Sequence, residues 1–157
     1  MKPFSFERIQ TIPTTIDTAW QFFSDPGNLA RITPPGMDFR ITSPPQPTTY
    51  AGQIITYTVR PLLGIRMSWT TEITPVAQPH FFVDEQRFGP YRFWHHQHFF
   101  REVDGGVEVR DLINYLLFHD QLAGLVNRIL VVPRLKKIFE YRSKALKEIF
   151  HTLSTSR

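Results

Sequence analysis

The spacing of apolar residues changes three times along the chain, and each change marks a change in the predicted element. Residues 4–12 alternate apolar and polar side chains, which is typical of a strand. Helical spacing follows in 14–25, where Thr14 or Thr15 can cap the first turn. A second short helical turn covers 28–32. This part of the chain therefore predicts one strand followed by two short helices.

From residue 38 to residue 118 the spacing of apolar residues becomes two, as in strands. Asp104, Gly105 and Gly106 form the clearest hairpin turn, because these residue types tolerate positive φ. Strands at roughly ten-residue spacing with short turns indicate one antiparallel sheet built by successive hairpins. The six predicted strands are 38–43, 52–61, 65–76, 80–91, 92–106 and 107–118.

The C-terminal part of the chain returns to helical spacing. Pro133 has no backbone N–H and must kink or restart this helix. We expect its apolar stripe to face the sheet, the only large apolar partner that the pattern provides. The order of elements predicts the α+β class, with a curved antiparallel sheet of about seven strands around a long C-terminal helix. The stripe consists of Leu122, Leu125, Val126, Ile129 and Leu130, then Leu135, Ile138, Phe139, Leu146, Ile149 and Phe150.

The composition limits the possible functions. At 157 residues the chain is expected to form one domain, 1–157. Its 14 Phe, 3 Trp and 5 Tyr suit both a strand-rich core and a ligand cavity. The absence of cysteine excludes disulfides, thiolate zinc sites and cysteine nucleophiles. No signal peptide and no apolar run near the ~20 residues that span a bilayer are present, so we expect a cytoplasmic protein without stable membrane insertion.

The net charge of +4 is unevenly placed. Residues 128–147 contain seven Lys or Arg and one acid, Glu140. The simplest interpretation is a solvated face of the C-terminal helix. The alternative is a regulatory or interaction module that uses this basic helix on an anionic membrane or an acidic partner. No nucleic-acid-binding motif accompanies the charge, so we expect no nucleic acid among the partners.

Four segments carry a family resemblance: "WTTEI" (69–73), "FVDEQRFGPYRFWHHQHFF" (82–100), "RDLINY" (110–115) and "IFEYRSKAL" (138–146). With the order of elements, they resemble the SRPBCC superfamily, the START and polyketide cyclase/dehydrase helix-grip group. The chain is most similar to a bacterial ligand-binding, cyclase/dehydrase-like branch. The resemblance implies a deep, mostly apolar cavity between sheet and long helix that binds a hydrophobic small molecule. It does not fix the chemistry, because function in such folds belongs to the site.

The three histidines in "FWHHQHFF" cannot all contribute to the same site. Side chains alternate across a strand, so Trp94, His96, His98 and Phe100 share one face while His95 points to the other. The Trp-x-His-x-His-x-Phe face is the one that the family pattern assigns to the cavity. The three histidines are therefore divided between the two faces of one strand.

The same alternation on neighbouring strands, oriented by the family pattern, gives the rest of the expected site. Asp84 and Gln86 point inward from one strand, and Asp111 points inward from another. Apolar walls with a few convergent polar groups are typical of a small-molecule site. The predicted ligand-binding residues are Trp69, Asp84, Gln86, Trp94, His96, His98, Phe100, Asp111, Ile113 and Tyr115.

The polar cluster admits several interpretations. It can be a hydrogen-bond network that braces the sheet, or a polar anchor for an oxygen of a bound ligand. It can also be an acid/base pair of His96 or His98 with Asp111, as a cyclase or dehydratase would need. His96 and His98 with Asp84 and Asp111 from the adjacent strands are close enough to bind zinc, but a metal site is disfavoured because the chain has no close-knit zinc-ligand spacing. We therefore expect no metal and no cofactor.

The family resemblance also suggests which loops control access to the cavity, namely 34–36 and 61–64. Leu62 and Leu63 would be apolar residues on an access loop, or would pack under the helix. The function expected from the whole pattern is binding, transport or sensing of a hydrophobic or aromatic small molecule. The alternatives are a cyclase/dehydratase-type enzyme and the interaction module described above.

Overall fold

The structure, a computed structural model, describes residues 2–61, 63–118 and 121–155. Its strands are β1 Phe4–Ile12, β2 Arg40–Ile41, β3 Ile54–Val59, β4 Met67–Ala77, β5 Phe81–Phe88, β6 Phe93–Val103 and β7 Gly106–Leu116. They form one curved antiparallel sheet in the order β1–β7–β6–β5–β4–β3–β2. The predicted α+β architecture, a seven-stranded sheet with a long C-terminal helix, is confirmed.

Short helical elements join β1 to β2, as predicted. The helix α1 covers Ile16–Phe23, and the Thr15 side chain accepts a hydrogen bond from the Thr18 N–H at its start. Two 3₁₀ segments follow at Pro26–Ile32 and Pro35–Met37. These elements cover one end of the concave face of the sheet, where α1 contacts β6 and β7.

The edge strand β2 is shorter than its sequence pattern predicts. Two residues, Arg40 and Ile41, pair with β3, whereas the pattern extended over 38–43. The prolines at 44, 45 and 47 follow directly, and proline cannot donate to a sheet ladder. The sheet therefore has a two-residue edge beside the 3₁₀ segments.

The C-terminal helical region has three parts. A short helix, α2 (Ala123–Val126), leads into a π-helical turn at Asn127–Val131 and then into α3, Val132–Thr155. Pro133 lies in the first turn of α3, where its missing N–H is best tolerated. The expected restart at Pro133 is thus accommodated by the π-helical turn.

The apolar stripe does not face the sheet along its whole length. Leu122, Leu125 and Ile129 are 59%, 57% and 57% exposed, and Leu130 is exposed too, which corrects the expectation for this half of the stripe. The π-helical turn changes the angular phase of the helix, so Val131 points inward instead. From residue 135 onward the expected pattern holds, with Leu135, Phe139, Leu146 and Phe150 buried.

Two hydrophobic clusters lie on the concave face of the sheet. One packs α1 and the C-terminal end of α3 against the strands, with Trp20 and Phe150 among its buried members. The other packs the start of α3 against the opposite end of the sheet, around Trp69 and Trp94. The inward side chains of β4 to β7 lie between them. Within the described residues, no helix has the length and apolar character needed to cross a membrane.

Candidate functional site

A cavity of about 190 Å³ lies between the sheet and α3. Side chains of β3 to β7 form its floor, and Leu135, Phe139 and Arg142 of α3 form its roof. The 3₁₀ segments close one side, through residues such as Ile32 and Met37. The cavity is thus bordered by the sheet and by the helical elements that pack on its concave face.

Aromatic side chains make up much of one end of the cavity wall. Trp69 and Trp94 meet edge to face, with ring centroids 5.3 Å apart. Tyr57 stacks on the other side of Trp69, and Tyr91 contacts both tryptophans. Ring pairs of this kind hold each other in fixed orientations and leave a rigid apolar surface.

Polar side chains converge at the centre of the sheet. Asp84 lies directly opposite His96 in the β5–β6 pairing, and His98 lies opposite Asp111 in the β6–β7 pairing. His96 Nε2 is 2.9 Å from Asp111 Oδ1, and His98 Nε2 is 2.8 Å from Asp84 Oδ2. The two imidazole centroids are 3.8 Å apart. We call Asp84, His96, His98 and Asp111 the His–Asp cluster.

The remaining ring nitrogens complete a crossed arrangement. His96 Nδ1 is 3.4 Å from Asp84 Oδ2. His98 Nδ1 is 3.0 Å from Asp111 Oδ1, but without the alignment of a hydrogen bond. Each histidine therefore has one nitrogen toward Asp84 and the other toward Asp111. Asp84 borders the cavity, whereas Asp111 lies behind the two rings.

Arg142 joins α3 to the His–Asp cluster. Its Nη1 lies 3.4 Å from Asp111 Oδ1, and its guanidinium lies over the rings of Phe23 and Phe139. The side chain is 9% exposed, so it does not belong to a solvated helix face. The charge pattern alone placed Arg142 with the cations of the solvated helix face, which the structure corrects. Its position seven residues after Leu135 and four before Leu146 places it on the buried stripe.

Burial and charge shift the pKa values of the His–Asp cluster. Burial opposes ionisation of Asp111, but Arg142 and the two histidines outweigh it and hold the pKa of that carboxyl well below its ordinary value. Burial likewise acts against the charged form of Asp84, yet the neighbouring histidines lower its pKa. The cluster therefore contains two buried carboxylates in their charged form.

The two histidines differ in their preferred protonation state. Burial and the charge of His98 lower the pKa of His96. Burial also acts against the charged form of His98, but its contacts with Asp111 and Asp84 outweigh burial and raise its pKa. His98 therefore takes up a proton more readily than His96. This wall of the cavity can donate to a bound group, accept from it, or hold a cation.

Six of the ten predicted ligand-binding residues border the cavity, and four do not. Gln86 turns away and bonds the backbone of Tyr91 at the β5–β6 turn. Phe100 packs under α1. Tyr115 donates to Asn127 of the π-helical turn, and Asp111 lies behind the histidines. Those that border it are Trp69, Asp84, Trp94, His96, His98 and Ile113.

The proposed access loops are only partly described. Leu62 lies outside the described residues, and Leu63 is 77% exposed, so it does not pack under the helix. Pro61 borders the cavity and accepts a hydrogen bond from Arg134 of α3 through its carbonyl. The residues on either side of the other loop, 34–36, line the cavity, namely Thr33 and Met37, and no periodicity in the sequence indicated the contribution of Met37.

Solved structures resemble this chain along most of its length. Ms6760 from Mycobacterium smegmatis is 19% identical, with a TM-score of 0.65, covering 98% of this chain and 92% of its own. TTHA0849 from Thermus thermophilus is 14% identical, with a TM-score of 0.71, covering 96% and 99%. Ginseng major latex-like protein 151 from Panax ginseng is 11% identical, with a TM-score of 0.70, also covering 96% and 99%. No family model and no curated protein matches the chain. Likeness at these identities concerns the fold.

Proposed function

We propose that this chain, which has the SRPBCC helix-grip fold, binds a compact hydrophobic or aromatic small molecule in the cavity between sheet and α3. The observation that supports the proposal is a mostly apolar cavity with an aromatic wall and a polar patch at the centre of the sheet. Trp69, Trp94 and Tyr91 supply the apolar surface, and the His–Asp cluster supplies the polar groups. Such a combination is typical of small-molecule sites.

The volume of the cavity favours a ligand with one ring or a short chain. Drug-sized ligands occupy pockets of roughly 300–1,000 Å³, and a cavity of about 150 Å³ already takes up benzene. At about 190 Å³ the present cavity suits a substituted single ring better than a long acyl chain.

The polar patch favours a ligand with one oxygen-bearing group at the end of its apolar body. Asp84, His96 and His98 form a polar patch within a lining that is mostly apolar. A buried polar group that a ligand left unpaired would cost about 1–3 kcal/mol, so a matching ligand group is favoured over a pure hydrocarbon.

Binding can be tested with indole, p-cresol and benzoate as single-ring probes and decanoate as a linear probe. Isothermal titration calorimetry gives the affinity of each probe, and native mass spectrometry of the gently purified protein identifies any molecule that remains bound. We expect at least one single-ring probe to bind with one-to-one stoichiometry and more tightly than decanoate.

Two substitutions on β3 provide the matched pair. Val59→Phe fills the cavity from a buried position, whereas Thr58→Phe places the same ring on the opposite face of the strand. Binding should fall at least tenfold in V59F and stay within twofold in T58F, with thermal unfolding confirming that both variants fold. Equal binding in V59F and the unaltered protein, or no binding of any probe or co-purified molecule, would refute the proposal.

A further inference from the structure

We propose that Asp84, His96 and His98 form a binding site for a divalent transition-metal ion such as Zn²⁺ or Fe²⁺, with Asp111 as the supporting outer carboxylate. Two histidines and one carboxylate with open positions are a recurrent ligand set for these ions. The inference does not depend on the proposed small-molecule binding, because metal content is measured without any organic ligand.

The three candidate ligand atoms face one point at the cavity wall. One ligand atom from each of the three residues lies within 4.8 Å of the others. Bonds of about 2.0–2.2 Å to a tetrahedral ion separate two ligand atoms by roughly 3.3 Å. His96 Nδ1 is 3.4 Å from Asp84 Oδ2, and His98 Nε2 is 2.8 Å from the same oxygen. Small side-chain rotations therefore suffice to place an ion between them.

The two carboxylates have different surroundings. Asp111 contacts both imidazoles on their far side and is paired with Arg142. Asp84 has no ion pair with an arginine or lysine among the described residues, and it borders the cavity. Histidines that bind a metal commonly donate their second N–H to a carboxylate, which fixes the ring and the tautomer. Asp111 is in the position for that role, and Asp84 is in the position of a ligand.

The hydrogen bonds of His96 leave an acceptor without a donor. His96 Nε2 donates to Asp111, so in the neutral ring Nδ1 carries a lone pair. That lone pair faces the Asp84 carboxylate at 3.4 Å, and within the described part of the chain no hydrogen bond joins the two. Two lone pairs face each other there, and Asp84 Oδ2 also accepts from His98 Nε2, so a cation that displaced the His98 proton would bind all three residues.

The sequence shows no close-knit zinc-ligand spacing, because the ligands come from two adjacent strands, Asp84 from β5 and the histidines from β6. Cross-strand register brings them together, as the alternation of side chains on the two strands predicts. The open side of the site is the cavity, so an oxygen of a bound molecule could complete the coordination.

The test uses the full chain, stripped with EDTA and dialysed, with Zn²⁺ and Co²⁺ as probes. We expect one equivalent of Zn²⁺ by competition titration, a higher Tm with Zn²⁺, and visible absorption bands of low-symmetry Co²⁺. The same measurements on H96Q and D84N should show binding weakened more than 100-fold. D111N should bind one equivalent 10–100-fold more weakly, as for other outer carboxylates.

His95→Gln is the matched control. His95 is the neighbour of His96 on the same strand, but it faces outward and bonds Glu85. H95Q should bind Zn²⁺ like the unaltered protein. Stoichiometric binding that persists in H96Q and D84N but falls in H95Q would assign the ion to the outer face and overturn the proposal, as would the absence of one-equivalent binding in the unaltered protein.

A measurement on the unaltered protein covers the case in which a variant does not fold. Nitrogen resonances of the histidine side chains should move on Zn²⁺ addition for His96 Nδ1 and His98 Nε2, and stay in place for His95. Shifts confined to the exposed histidines would show adventitious surface binding only and would refute the site.

Discussion

Arg142 connects the long helix α3 to the sheet, because it pairs with Asp111 of β7. It is a buried cation on a helix whose other charged side chains are exposed apart from half-buried Arg134, and its partner Asp111 is also buried. A buried ion pair contributes little net stability compared with apolar residues, but a buried charge that loses its partner is costly. Removing Arg142 is therefore costly because it leaves the Asp111 carboxylate buried without its arginine partner.

Replacing Arg142 by Met should lower the free energy of unfolding by about 3 kcal/mol, because Asp111 loses its guanidinium partner and keeps only the histidines. Urea unfolding measures the effect. Arg110→Met is the control, since Arg110 pairs with Glu7 at an exposed position and its loss should cost at most about 1 kcal/mol. Similar losses in the two variants would contradict the assigned role of Arg142.

The raised pKa of buried Tyr115 predicts that the protein loses stability at alkaline pH. Burial raises the pKa of Tyr115 to about 12, above the value of about 10 in an unfolded chain. The unfolded state therefore releases this proton first, so the stabilisation is complete below pH ~10 and declines as pH rises toward 12. Burial raises the pKa values of Tyr57 and Tyr91 in the same direction.

Urea unfolding at several alkaline pH values checks this, together with the ultraviolet absorbance of tyrosinate. Tyr115→Phe removes one titrating group, so the decline of stability with pH should become shallower. Tyr50→Phe, at an exposed position, should leave the slope unchanged. An equal slope in Y115F and the unaltered protein would show that Tyr115 does not contribute.

At the scale of elements, the π-helical turn divides the C-terminal region into a solvent-facing part and a core-facing part. Leu125→Ser and Ile129→Ser should change the free energy of unfolding by no more than about 0.5 kcal/mol, because both side chains are mostly exposed. Leu135→Ala and Leu146→Ala should cost about 2–5 kcal/mol each. A large effect of L125S in urea unfolding would place that face against the protein.

The β6–β7 turn gives a second test at this scale, because its two glycines differ. Gly105 has φ +87 and free space around it, so Gly105→Ala should cost about 1–2 kcal/mol for the left-handed backbone alone. At Gly106 a Cβ would also collide with the Ile12 carbonyl oxygen of β1. G106A should therefore be clearly less stable than G105A in urea unfolding, and the reverse order would contradict this packing.

How far the sequence predicts these elements depends on periodicity. Alternation in β6 placed Trp94, His96 and His98 on one buried face, and the structure agrees. Periodicity carries no information about Tyr91 or Met37, which reach the cavity from a turn and a 3₁₀ segment. The inversion of Leu125 and Ile129 follows from the π-helical turn, whose phase change a constant helical period cannot represent.

At the scale of the whole molecule, the two sides of the cavity differ in how firmly they are held. β6 and β7 are 11 residues long and pair along their length, and α3 is tied to them through Arg142. The opposite side is formed by the 3₁₀ segments and by Phe39, which directly precedes the two-residue strand β2. Local opening needs least free energy where buried contacts and ladder bonds are fewest.

Hydrogen exchange should therefore be fastest at β2 and the 3₁₀ segments and slowest in β6, β7 and the middle of α3. A single-ring probe that binds should slow exchange at Pro26–Met37 and β2 most strongly, because those amides lie on the side that opens. Exchange followed by mass spectrometry resolves these segments. Fastest exchange in α3, or protection confined to α3, would show that the helix opens instead.

The shortness of β2 also has an evolutionary consequence. A two-residue edge strand next to the cavity rim, followed by a proline-rich loop that reaches to β3, can be lengthened or rebuilt without disturbing the pairing of β4 to β7. Selection could then change which molecules fit while the polar centre, fixed on the long inner strands, stayed as it is. The contact of the ligand with the His–Asp cluster would be kept, while changes at the cavity rim would alter the size of ligand that fits.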